Sequence, residues 1–162
     1  MASNEGSEEK EWISPLDAGI RQKQLEKAAA LGPDVEIRLL EWIAAVVGEE
    51  LPEGQSLVEV CKDGKVLCKL INQIAAKCEP PRDKIVKKVH ESKLAFKAME
   101  NLKNFIDGCK SLGVPALVCF DTLDIYEKQD IVELVKTLQS LGSAVADMRD
   151  YQGTQIASQL LP

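Results

Sequence analysis

The stretch DGKVLCKLIN at residues 63–72 sets an Asp-Gly turn, a lysine, a cysteine and an asparagine within one helical length. Such residues could form a phosphate-binding loop, a reactive-thiol pocket, or simply the opening of a buried helix. A Walker-type loop needs G-x-x-x-x-G-K-[ST], so that successive backbone N–H groups surround the phosphates. Gly64-Lys65-Val66 has neither the upstream glycine nor the hydroxyl. Nucleophilic catalysis needs a nucleophile, a base and an orienting group. The single histidine, His90, lies in KKVHES with no G-x-S-x-G or cysteine-enzyme signature nearby. It reads as a surface or helix-end residue, and no catalytic residue is expected.

Metal chemistry is equally poorly served. Asp121, Asp124, Glu127 and Asp130 supply carboxylates but lack the glycine and twelve-residue spacing of an EF-hand loop. Capping of two successive helix starts accounts for them. The five cysteines (Cys61, Cys68, Cys78, Cys109 and Cys119) are odd in number and contain no C-x-x-C pair. A zinc site would need them clustered, so buried, reduced thiols are expected. No metal and no cofactor is expected either.

Charge is more informative. The net charge of −6 hides a basic island: residues 62–110 carry twelve basic and six acidic side chains, whereas residues 32–61 carry one and seven. The island is either a set of ordinary solvated helix faces or a docking patch for an acidic partner.

The elements that must position these residues read as helices. At 162 residues the chain accommodates one domain plus tails, and its 4% aromatic content favours helices packed by aliphatic side chains. Residues 1–15 form a polar tail, and 16–31 a run of helix formers that Gly32-Pro33 ends. DVEIRLLEWIAAVVG opens with Asp34 as the expected cap. Ile37, Leu40, Ala44 and Val47 form its stripe, Trp42, Ile43 and Val46 lie beside it, and Gly48 is the stop. SLVEVCK is a short helical piece.

In the opening stretch Val66, Leu67, Leu70, Ile71 and Ile74 make one helix face. Asp63 is its expected cap, Gly64 permits close packing, Lys65 and Lys69 point outward, and Cys68 sits at the edge of the core. CEPPRDK is a loop that leads into a long helix, ESKLAFKAMENLKNFIDGCKSLG. There Ala95, Met99, Leu102, Ile106 and Cys109 recur, and Gly108 marks the approach of another helix. DIVELVKTLQSLGSAVADM is the last main helix, with Ile131, Leu134, Val135, Leu138 and Leu141 inward. The tail RDYQGTQIASQLLP shows no periodicity. With no period-2 pattern the expected class is all-α.

These segments resemble the calponin homology domain, in particular the single-domain kind of calponins and transgelins. The matching pieces are EWI at 41–43, DGKVLCKLIN at 63–72, F-x-x-M-E-N-L-x-x-F at 96–105, C-x-x-L-G-V at 109–114, FDTLDIYEKQD at 120–130 and V-x-x-T-L-x-x-L-G at 135–142. The resemblance implies four main helices with shorter connecting ones, a domain over 33–147, an N-terminal flank over 1–32 and a C-terminal tail over 148–162. It further implies a non-catalytic, cytoplasmic, cytoskeleton-associated module. Its expected partner is the actin filament, reached through the basic patch Lys84, Lys87, Lys88, Lys93 and Lys97 with support from the N-terminal helix. Microtubules or signalling proteins are the alternatives. A monomer with no nucleic-acid or membrane partner is expected.

Overall fold

The computed structural model describes residues 32–161 throughout, preceded by scattered positions between 14 and 26. Of those scattered positions, Pro15, Leu16, Ala18, Gly19, Gln22, Lys23 and Glu26 are helical. How an N-terminal helix would dock lies outside the described residues. From Gly32 on there are six α-helices: α1 Pro33–Val47, α2 Leu57–Cys61, α3 Lys65–Ala76, α4 Ala95–Ser111, α5 Thr122–Tyr126 and α6 Ile131–Ala146. Two single 3₁₀ turns, Ala116–Val118 and Ser158–Leu160, complete the order. The four long helices are α1, α3, α4 and α6. No strand occurs among the described residues; Cys78 and Tyr151 form one isolated antiparallel bridge.

Each helix forms for local reasons that its sequence carries. Pro33 fills the first position of α1, where its missing N–H would lack a partner anyway. Gly48 ends the helix in the left-handed conformation, its N–H donating to the Ala44 carbonyl. The cap is Gly32 rather than Asp34, which falls in the first turn. The buried face of α1 is Leu39, Trp42, Ile43 and Val46, while Ile37 is exposed. This face is rotated from the expected stripe, because the WIAAVV run is apolar all round and does not itself fix the phase.

A capping box closes α2: Ser56 Oγ accepts the Glu59 N–H at 3.2 Å, and the Glu59 carboxylate accepts the Ser56 N–H at 2.8 Å. Glu36 of α1 accepts the Leu57 N–H at 3.2 Å, tying the two helices together. At α5 the Asp124 carboxylate accepts the Asp121 N–H at 3.0 Å. At α6 the Asp130 carboxylate accepts from the Val132 and Glu133 N–H groups. The acidic run thus serves helix starts.

The core is one aliphatic cluster shared by all the long helices. Leu67, Leu70, Ile71 and Ile74 of α3 are fully buried, and Val66 is half-buried. Cys68 is also fully buried, well inside the edge expected for it. Gly108 brings α4 against α3: a Cβ there would stand 2.9 Å from Ile71 Cγ2 and 3.2 Å from Ile85 Cγ2.

Residues 148–161 lie as a strap on the domain, with Tyr151, Ile156 and Leu160 buried. Trp42 Nε1–H donates to the Thr154 carbonyl at 3.1 Å. Ile156 fills the notch left by Gly142, where a Cβ would meet it at 2.7 Å.

Candidate basic docking surface

The lysine-rich connection between α3 and α4 is irregular in backbone yet fixed in place, because two asparagines replace the hydrogen bonds that regular structure would supply. Asn72 of α3 accepts the Ile85 and Val86 N–H groups at 3.1 and 2.9 Å, and donates to the Val86 carbonyl at 3.0 Å. Asn101 of α4 is fully buried. It accepts the His90 N–H at 2.9 Å and donates to the His90 carbonyl at 2.9 Å and the Asp63 carbonyl at 3.0 Å.

Asn101 therefore joins the lysine loop to the turn before α3. That turn is tight: Gly64, at φ 74°, is the helix cap, and a Cβ on it would lie 2.6 Å from Asn101 Cβ. Asp63 stands one residue before the cap and accepts the Lys65 N–H at 3.0 Å. It satisfies a free helix donor from outside the expected position.

The loop's first residues are held to the strap. Arg82 and Asp150 form a two-pronged ion pair at 2.8 Å on each arm. The guanidinium holds the Asp150 carboxyl below the usual carboxylate range. Nearby, the Glu79 N–H donates to the Asp150 carbonyl at 2.7 Å and the Gln152 N–H to the Lys77 carbonyl at 2.8 Å.

On this scaffold Lys84, Lys87, Lys88 and Lys93 are exposed and Lys97 is half-buried. None of the five forms an ion pair among the described residues, whereas Lys65, Lys69, Arg82 and Lys103 pair with Glu91, Glu49, Asp150 and Asp107. Lys87 and Lys88 stand on one wall of a groove of about 440 Å³, with Glu100, Asn104, Asp107 and Ser111 of α4 on the other. Lys93 and Lys97 bracket the start of α4, and Lys84 lies toward the Arg82 end of the loop. His90 lines the groove, its Nε2 hydrogen-bonded to the Glu100 carboxylate, with a side chain only 11% exposed. It is more enclosed than a surface histidine.

The groove contains no nucleophile–base pair: Ser111 donates its hydroxyl to the Gly108 carbonyl at 2.7 Å. The cysteines are all free thiols, with Cys61, Cys68, Cys78 and Cys109 buried. Burial pushes the Cys68 thiol up to about 12, with the Asp63 carboxylate adding to the effect. Burial likewise raises Cys61, Cys78, Cys109 and Cys119. Such thiols are protonated and unreactive at neutral pH. Among the described residues no cluster of His, Cys, Asp or Glu is placed to hold a metal ion. No helix among them is long and apolar enough to cross a membrane.

Residues 33–147 match the calponin homology (CH) domain family. The chain belongs to the calponin homology family. Muscle-specific protein 20 of Drosophila melanogaster is 39% identical over 138 residues, covering 85% of this chain and 70% of that protein. Myophilin of Echinococcus granulosus is 37% identical over 128 residues, which cover 78% of this chain and 64% of myophilin. Rac guanine nucleotide exchange factor B of Dictyostelium discoideum is 28% identical over 134 residues, 83% of this chain but 11% of that protein.

In fold, the chain is similar to the calponin homology domain of Rng2 from Schizosaccharomyces pombe, with a TM-score of 0.58 and 20% identity. That likeness covers 79% of this chain and 77% of the other. A calponin homology domain of an IQGAP protein from the same organism gives 0.59 at 20% identity, over 77% and 75% of the two chains. The domain is therefore an all-α, non-catalytic module of cytoskeletal type, related to the calponin and transgelin proteins.

The five lysines were legible as a charge cluster. Asn72 figures in the sequence reading only as a polar residue of the stretch 63–72, and Asn101 was not singled out, although it interrupts the apolar stripe of Ala98, Leu102 and Phe105. A polar residue on a core face is the signal that would have found it.

Proposed function

We propose that this calponin homology domain binds actin filaments through Lys84, Lys87, Lys88, Lys93 and Lys97, and thereby bundles or stabilises them in the cytoplasm. The observation that carries the reading is the set of five lysines without ion-pair partners among the described residues, four on a loop stapled by Asn72 and Asn101 and Lys97 in the first turn of α4. Cations without a nearby carboxylate keep their charge for an outside partner, and a backbone already fixed leaves only side-chain freedom to be lost on binding. The filament surface is acidic, so attraction would be local even though the chain as a whole carries −6. The relatives named for muscle support a contractile or cytoskeletal setting.

High-speed co-sedimentation of the full chain with actin filaments at low salt tests this. Pelleting above background is expected; its absence would remove the reading. Microtubules run in parallel separate the second polymer. A signalling-adaptor reading draws on the similarity to part of a Rac guanine nucleotide exchange factor. Recovery of signalling proteins with neither polymer would favour it.

A further inference from the structure

Beside the lysines lies an apolar feature that the fold does not use. Leu94 precedes α4 and Phe96 stands in its first turn, and they are 60% and 62% exposed. Of the three phenylalanines, Phe105 and Phe120 stack in the core with ring centroids 5.9 Å apart. Phe96 faces out. Leu94 occupies the cap position, where Ser, Thr, Asp or Asn would accept a free helix N–H, and no side-chain cap forms. The first turn holds no acidic residue. The Lys97 ammonium lies over the Phe96 ring, 5.4 Å from its centroid, but neither Leu94 nor Phe96 is buried in the core, as expected where a surface is shaped by contact rather than by folding.

Helical spacing links this feature to the groove. Phe96, Glu100, Asn104, Asp107 and Ser111 follow one another at three or four residues and so share one stripe of α4. The last four of these line the groove. Phe96 therefore stands one turn beyond Glu100, at the groove's mouth, with Lys93 and Lys97 around it.

We propose that Leu94 and Phe96 are the apolar anchors of the filament-binding surface. They seat in an apolar notch of the actin subunit while Lys87, Lys88, Lys93 and Lys97 face its carboxylates. The inference rests on the actin reading above. Charge complementarity selects the occupant: lysines without ion-pair partners among the described residues favour an acidic one, and a second copy docking through the same face would oppose lysine to lysine.

The test is co-sedimentation of the full chain with actin filaments across a salt series. It compares wild type, the Leu94→Ser/Phe96→Ser double variant and the Lys87→Glu/Lys88→Glu double variant, each checked by thermal unfolding. The serine pair should keep or slightly raise the wild-type Tm, since serine at the cap position can accept a free helix N–H. It should bind at least about tenfold more weakly at every salt concentration with the salt dependence retained. The glutamate pair should flatten the salt dependence. Phe96→Leu should retain binding and Phe96→Gln should lose it; equal binding by those two overturns the anchors whatever the Tm of the serine pair. Wild-type affinity in the serine pair overturns the anchors and leaves the actin reading standing. No pelleting of the wild type overturns both, and patch-dependent pelleting with microtubules alone overturns the choice of actin.

Discussion

Asn101 does more for the site than any residue the partner would touch, since its one amide group fixes the end of the lysine loop and the turn before α3 together. Asn101→Ala strands three partly buried polar groups and should cost about 2–4 kcal/mol in denaturant unfolding. Asn101→Asp keeps the shape but loses both donations, and should cost comparably. Gly64→Ala should cost a similar 2–4 kcal/mol, roughly, from the positive φ and the contact with Asn101.

The thiols and Tyr151 make a further prediction at this scale. Burial raises Cys68 from 9.0 and Tyr151 from 10.0, each to about 12. The folded state thus holds these protons at a pH where the unfolded chain has released them. Their stabilising contribution is complete below about pH 9 and is lost as pH rises toward 12. Tm should be level from pH 7 to 8 and fall above 9 as these groups begin to titrate in the unfolded chain. A fall that begins on the acid side of 8 would contradict this.

At the scale of elements, α3 is the hub, packed against α1, α2 and α4. Leu70→Ala should lower stability by about 2–5 kcal/mol and reduce partner binding only in step with unfolding. Binding lost at unchanged Tm would show that α3 belongs to the docking surface. Gly108→Ala gains helix propensity but pushes a methyl into Ile71 and Ile85. Chemical denaturation should show a net loss of about 1–3 kcal/mol.

What could be read from the residues divides along the same lines. The α3 face was legible because apolar and polar residues alternate there at helical spacing. The phase of α1 was not, because an all-apolar run has no polar side to orient it. Both cap positions fell one or two residues from their expected places because glycine, not the neighbouring aspartate, takes the cap at α1 and α3. The strap was illegible because its order comes from distant partners, such as Trp42 for Thr154, 112 residues apart.

For the molecule as a whole, identification and function reside in different places. The stretch 63–72 marks the calponin homology fold and holds its core, whereas the proposed docking surface is the loop that follows and the first turn of α4. The lysines were visible as a charge excess, but which of them stay unpaired depends on the placement of Glu49, Glu91, Asp107 and Asp150. A module of this kind should therefore separate binding from stability cleanly. The most direct measurement is the fraction of Lys87→Glu/Lys88→Glu protein that pellets with actin filaments at low salt, beside wild type and with the Tm of both. The account predicts a several-fold loss of pelleting at unchanged Tm; equal pelleting by both proteins would contradict it.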